Sequence, residues 1–361
     1  MRHWVMDYET LANCFTGVFE HYKTQETEIF VVHDLQNDLP EFINFLENNI
    51  RNKEWHISYN GLAFDAQVTH YILDNHFLWK SLSGCEVAAI IYTYAQRCIT
   101  KSNKKEFSDY PQWKMKMGQI DVFKMHHWDN PAKRSSLKWI QYSMDWQNIL
   151  DMPIHHETLI STQSEIDTIL EYCINDVKST KEIFVRAHSQ IKLRKELTDT
   201  YDINLYSASE PRISKELFGF YLSQKLNIPK RDLKQMRTHR GTIKVADIIL
   251  PCVNFTSAEF RMIHERFKSL EVHASSLKGS FKYHINYKNV KTDFGLGGVH
   301  GAAKKGIYES DDDMIIMSSD VTSFYPNLAI KNKFAPGHFP VDEFCDQYEW
   351  FFEERKKIPK S

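Results

Sequence analysis

VMDYET, Val5 to Thr10, is the stretch whose reading decides the fold. Its apolar start reads as a short strand, and the strand ends by placing two acids, Asp7 and Glu9, two residues apart. In extended backbone, side chains at i and i+2 point to the same face, so both carboxyl groups project together. Two anions so close repel each other. One then holds its proton with a raised pKa, unless a divalent cation lets both ionise. The pair is a candidate metal site, although a solvated strand end is the simpler reading of the triplet taken alone in a chain with 47 acidic residues.

Composition bounds the rest. A length of 361 residues suffices for two or three domains with proper cores, and 42% hydrophobic with 25% charged residues describes an ordinary globular protein. The first twenty residues contain acids and no apolar run, and no run of apolar residues is long enough to span a bilayer. Neither a signal peptide nor a membrane partner is expected, and cytoplasmic residence follows. Cys14, Cys85, Cys98, Cys173, Cys252 and Cys345 are scattered without a C-x-x-C pair, which fits reduced, mostly buried thiols. The adjacent pairs His126-His127 and His155-His156 read as structural or surface residues, because neighbouring side chains diverge. A net charge of −2 excludes a uniformly basic nucleic-acid coat but allows a local groove.

Working outward, strands are expected at Trp4 to Asp7 and Glu28 to His33, with a turn near Thr16-Gly17 and a helix from Leu39 to about Asn49. Trp55 to Tyr59 reads as a strand that hands over to a helix around Asn60-Gly61, since Phe64, Val68, Tyr71 and Ile72 recur at helical spacing. Another strand is expected at Ile120 to Phe123. Such alternation indicates an α/β layer domain. Between Lys101 and Gly118, five lysines interleave with Phe107, Tyr110 and Trp113, a composition that suits either a single-strand nucleic-acid groove or a solvated loop. A long helix is expected from about Ser164 to Glu196, on apolar positions from Ile166 to Ile191, opened by a capping box at Thr162 to Glu165. Tyr201 to Pro211 reads as a linker. Beyond it, DDDMIIMSSDVTSFYPN reads as a solvated acidic turn and an apolar strand running into Asp320.

Two ions about 3.5–4 Å apart need more than two carboxylates. Asp65 supplies a third in SYNGLAFDAQV, in the first turn of the helix after a strand, with Asn60 placed to hydrogen-bond near the strand end and Phe64 to pack on a terminal base. Read locally, they are an N-cap and a first-turn acid that favours the helix dipole. Asp176 supplies the fourth. Tyr172 lies one helical turn before it on the same face, where its phenol can orient a water.

Asp-x-Glu on a first strand, Asn-x-x-x-Phe-Asp at a strand-to-helix junction and Tyr-x-x-x-Asp on a late helix, in this order, resemble the three sequence blocks of DEDD-type 3′-to-5′ exonucleases, tyrosine subclass. The resemblance implies an RNase H-like fold, a mixed sheet with flanking helices. It implies catalytic roles for Asp7, Glu9, Asp65, Tyr172 and Asp176, with Asp7, Glu9 and Asp176 bound directly to metal and Asp65 acting partly through water. Two Mg²⁺ ions suit the all-oxygen set, and Mn²⁺ is a substitute. Thr10 and the Ser136-Leu137-x-x-Ile140 block resemble ligands of the frayed primer strand. Some relatives add a lysine shortly before the third block; this chain has none between Lys138 and Lys178, and His155 or His156 is the stand-in considered.

DVTSFYP, Asp320 to Pro326, resembles motif A of family B DNA polymerases, with Phe324 for the usual Leu and Asn327 for the usual Ser. The resemblance implies that Asp320 and the Val321 carbonyl bind metal and that Tyr325 lies under the incoming deoxynucleotide. GLGGVHG, Gly295 to Gly301, is similar to the segment that joins nuclease to polymerase and grips template, which gives Gly297 and Gly298 a DNA-binding role. The expected organisation is therefore an exonuclease domain over 1–197, a connecting region over 198–305 and the start of a palm over 306–361, leading toward fingers. Expected partners are a single-stranded or frayed primer 3′ end, template-primer, a deoxynucleoside triphosphate and the remaining polymerase segment. No Asp-Thr-Asp turn follows Asp320, so these residues are not expected to polymerise alone. The organisation looks like that of compact phage or mobile-element polymerases, which implies the bacterial cytoplasm. The rivals are a standalone nuclease of the same fold and a non-catalytic DNA-binding subunit of a split polymerase.

Overall fold

Alternation along the first strand sets up two layers. In the computed structural model, which describes residues 3–132, 134–273, 282–295 and 298–358, β1 is His3–Thr10. Its Trp4, Met6 and Tyr8 enter one apolar cluster and Val5 the other, as a period of two requires. β2 (Phe15–His21) and β3 (Thr27–Val32) continue β1 as an antiparallel meander. α1 (Leu39–Arg51) then leads to β4 (Trp55–Ser58), which pairs in parallel with β1. α2 (Asp65–Asn75) and α3 (Gly84–Lys104) lead to β5 (Gly118–Asp121), parallel to β4. The result is a mixed five-stranded sheet of order β3-β2-β1-β4-β5.

Phe42 and Leu46 of α1, Val68 and Ile72 of α2, and Val87 and Ile91 of α3 pack on the Trp4–Met6–Tyr8 face. A short α4 (Val122–Met125) and α5 (Leu137–Ser143) precede α6 (Gln163–Arg186), whose Cys173, Val177 and Phe184 cover the Val5 face with Val18, Ile57 and Ile120. The expected capping box opens α6: the Thr162 hydroxyl accepts from the Glu165 amide, and the Glu165 carboxylate accepts from the Thr162 amide.

In the first unit four expectations are corrected. Thr16-Gly17 is not a turn but the interior of β2. A Cβ at Gly17 would lie 3.0 Å from the Tyr8 ring, so the glycine marks close packing on β1. The long helix is two, α6 and α7 (His188–Tyr201), broken at Ala187. Its apolar rhythm hid the break because Ile183, Phe184, Ala187 and Ile191 all join the same cluster. Lys101 to Lys104, read as part of a basic loop, form the last turn of α3, where cations favour the helix dipole. Lys101 is paired with Asp109 and Lys116 with Asp74. Tyr201 to Pro211 is no free linker. Leu205, Tyr206, Ser207 and Ala208 are buried, and Ser207 Oγ accepts from the Asp121 amide at 2.9 Å and donates to the Gln119 carbonyl at 3.0 Å, completing the edge of β5. Buried Arg194 donates to the Ala208 and Met125 carbonyls. The first compact unit accordingly runs to Glu216.

The second unit is Leu217–Ser361. α8 (Glu210–Leu226) enters it, and Phe218 and Tyr221 meet Phe344, Trp350 and Phe351 of a C-terminal helix, Val341–Lys356. It also holds a three-stranded antiparallel sheet, with Val290–Gly295 between Tyr283–Tyr287 and Gly298–Ala302. The apolar strand expected before Asp320 is absent from the described structure. Met314, Ile315, Ile316 and Met317 are exposed coil after an Asp311 turn whose carboxylate accepts from the Asp313 and Met314 amides. A strand that is apolar on both sides forms only where both faces are covered, and no described strand pairs with this one. No described helix is long and apolar enough to cross a membrane.

Candidate metal centre

Because Asp7 and Glu9 share the Val5 face of β1, they look toward α6 rather than toward the other helical layer. Helical spacing on α6 brings Tyr172, Cys173 and Asp176 to the same place. Ligand atoms of Asp7, Glu9 and Cys173 all lie within 4.8 Å of one another. Cys173 Sγ donates to the Asp7 carbonyl at 3.4 Å, and burial followed by the acid charges pushes its thiol well up. In the metal-free fold Cys173 holds its proton and forms a wall of the site.

Asp65 arrives by a different route. β4 lies beside β1 and leaves the sheet at Ser58, so the start of α2 falls beside the end of β1. The turn between them is held by Asp121, a buried acid at the end of β5, which accepts from the amides of Asn60 at 3.0 Å, Leu62 at 3.1 Å and Lys124 at 3.2 Å. Asn60 is left-handed at φ 66°. Gly61 has no room for a side chain: a Cβ would lie 1.9 Å from Ser58 Oγ and 3.3 Å from Asp65 Oδ2. Tyr8, whose side chain points opposite to Asp7 and Glu9, pins the same helix. Its hydroxyl bonds Thr69 Oγ1 at 2.8 Å, and Thr69 donates to the Asp65 carbonyl at 2.9 Å. Asp65 is buried and its Oδ1 has no hydrogen-bond partner.

The electrostatics follow from this crowding. Burial, then the charges of Asp65, Glu9 and Asp176, hold Asp7 well above the carboxylate range. Burial, Asp176 and Asp65 push Glu9 up to about 8, against the pull of Lys138. Burial raises Asp65 to about 7. Burial also raises Asp176, while hydrogen bonds from Gln141 and Tyr172 and the charge of Lys138 oppose it. Among the described residues Asp7, Glu9 and Cys173 form a group that could hold a metal ion, while Asp65 and Asp176 lie outside that group but near enough for their charges to act on Asp7 and Glu9.

Three contributors escaped the sequence reading. Gln141 Nε2 donates to Asp176 Oδ1 at 2.9 Å and to Ser179 Oγ at 2.8 Å. Lys138 lies with Nζ 5.9 Å from the Tyr172 ring centre and 2.6 Å from Asp151. The stretch of chain just before Tyr172 holds no lysine, and α5, packed on α6, brings Lys138 to it from farther back. Asp121 carried no motif at all. Tyr172 and Asp176 are buried, and the Tyr172 hydroxyl, expected to orient a water, is hydrogen-bonded to Asp176.

The remaining expected ligands have varied settings. Thr10 is the buried last residue of β1, Phe64 is half-buried against the core, Ser136 caps α5 with Oγ accepting from the Trp139 amide, and Leu137 packs into the α6-side core. His155 stacks on His156, which meets Tyr92 Oη at 2.8 Å, so neither guess gains a catalytic contact here. In the second unit Gly298, at φ 131°, pairs with Gly295 at the end of a hairpin, and Gly297 lies outside the described residues. Asp320 and Val321 are exposed coil, and Tyr325 is exposed in the helix Phe324–Lys331. Among the described residues, the metal-competent group of three or more side chains contains none of these. No protein-family model matches the chain, and no curated protein matches its sequence.

Proposed function

We propose that the first unit is a two-metal 3′-to-5′ exonuclease acting on unpaired DNA ends, joined to the start of a family B polymerase palm. The observation that carries the reading is the grouping of Asp7 and Glu9 with Cys173, ligand atoms within 4.8 Å, beside the acids Asp65 and Asp176, whose charges together with burial raise the proton affinity of Asp7 and Glu9. When bound, a pair of Mg²⁺ ions supplies charge neutralisation and Lewis acidity for in-line attack of water on the terminal phosphodiester. Asp7, Glu9 and Asp176 would hold those ions, and the buried Asp65 Oδ1, which has no hydrogen-bond partner, would be available to them through water. Gln141 and Tyr172 fix the Asp176 carboxylate by hydrogen bonds. The Tyr172 phenol keeps its proton at neutral pH and donates it in a hydrogen bond to Asp176, so its oxygen would be free to accept a hydrogen bond from the attacking water. Lys138 adds the positive charge that an approaching phosphate needs beside four acids.

The polymerase half of the reading rests on the sequence DVTSFYP alone. The nuclease half is tested with a 3′-labelled single-stranded oligonucleotide and Mg²⁺. The wild-type chain is expected to shorten it and the Asp7→Ala/Glu9→Ala chain to leave it intact; equal behaviour of the two refutes the assignment.

A further inference from the structure

Helix α5 carries three faces in sequence. Leu137, Ile140 and, just past its end, Met144 join the core. Lys138 and Gln141 turn toward Tyr172 and Asp176. The face next round from Lys138, by helical periodicity, carries Trp139 and Tyr142. These two rings stack on each other, with centres 5.8 Å apart and planes 29° apart, yet they stay 59% and 66% exposed. Large exposed aromatics stacked in a pair are costly on a surface with no partner. Here they border the candidate metal centre.

The geometry points to Trp139 and Tyr142 as a stacking platform for unpaired nucleobases, which receives the single strand a few nucleotides back from the 3′ end held by the four acids. The inference rests on the exonuclease reading of that site and adds where the strand runs on leaving it. Charge selects this occupant. Arg134 is exposed two residues before the cap of α5, and Lys138 stands between the rings and the acids, its ion pair among the described residues being with the almost fully exposed Asp151. Such a surface ion pair is worth little and yields readily to a phosphate. Rings for bases and interleaved cations for phosphates match a single strand, whereas a second protein would have to desolvate the same cations without compensation. Stacking asks for no particular base, so the platform is expected to be indifferent to sequence.

The test separates this inference from its parent. Binding of a fluorescent oligothymidylate to the full chain is measured in EDTA on an Asp7→Ala/Glu9→Ala background, with Trp139→Ala, Tyr142→Ala, both together, and Trp139→Phe. Each alanine is expected to weaken binding about five- to tenfold, the double variant more, and phenylalanine to restore most of it. On the active background, KM for a long single strand rises in the same order at unchanged kcat, while hydrolysis of p-nitrophenyl thymidine 5′-phosphate, which has no upstream bases, is unaffected. Wild-type binding and KM in the alanine variants overturn the platform even if the nuclease is active. So does loss of self-association, seen by sedimentation of Trp139→Ala without oligonucleotide, because the rings then serve a protein contact. If the wild-type chain has no nuclease activity but the binding losses appear, the platform stands and the parent reading falls.

Discussion

Replacing Glu9 by glutamine is expected to stabilise the metal-free protein at neutral pH, although it removes a residue proposed to be essential. The reason is linkage. Glu9 titrates near 4.5 in an unfolded chain and at about 8 in the fold, because of burial and the charges of Asp176 and Asp65. A pKa raised on folding means that the folded state binds the proton more tightly. Stability is therefore fully present below pH 4.5 and is lost as pH rises toward 8. From pH 4.5 to 7.5 the proton activity falls by three decades, each worth about 1.4 kcal/mol, which sets a ceiling of about 4 kcal/mol. Glu9 keeps some solvent contact and shares its repulsion with three neighbours, so about 2 kcal/mol is expected. For a unit of this size that corresponds to a rise of roughly 4–8 °C in the melting temperature. The assay is thermal unfolding by circular dichroism, in EDTA, at pH 4.5 and 7.5. Glu9→Gln is expected to melt above wild type at pH 7.5 and with it at pH 4.5, and Mg²⁺ is expected to raise wild type more than the variant. A gain equal at both pH values, or no gain at pH 7.5, refutes the claim that crowded carboxylates strain this site.

Cation binding itself is expected to release protons: calorimetric titration of Mg²⁺ at pH 6.5 in buffers of different ionisation heat will show proton release that shrinks toward pH 9, as Glu9 and Asp65 ionise unaided. Asp121→Asn replaces a carboxylate accepting three amides with a group that has a single acceptor oxygen, and is expected to cost about 2–3 kcal/mol in denaturant unfolding and to weaken Mg²⁺ binding through the displaced Asn60–Leu62 turn. Gly61→Ala drives a methyl into Ser58 and is expected to destabilise the first unit by about 3 kcal/mol or more, with Ser58→Gly restoring a large part in the double variant; additive losses show that the contact is not the cause.

Much of the site was legible in the sequence because its pieces obey short-range geometry. A period of two puts Asp7 and Glu9 on one face, a spacing of four stacks Tyr172 over Asp176, and the strand-to-helix junction after Ser58 places Asp65 at a helix start. These are properties of a few consecutive residues, and they survive whatever surrounds them. The same locality explains the misses. Ala187 interrupts a helix without interrupting the apolar rhythm, and Gly17 looks like a turn until Tyr8 is seen across the sheet.

What only tertiary structure decided is which distant groups meet. Asp121 is 61 residues from Asn60 in the chain and Gln141 is 35 from Asp176, yet each contact is a direct hydrogen bond. Lys138 reaches the acids because α5 packs on α6, which no spacing rule encodes. Met314 to Met317 have the composition of a buried strand, but composition records a wish for cover and not its presence, and the described structure leaves them exposed. Electrostatic repulsion among the acids is likewise a property of the assembled sheet and helix, since in an unfolded chain those charges are far apart and screened by water.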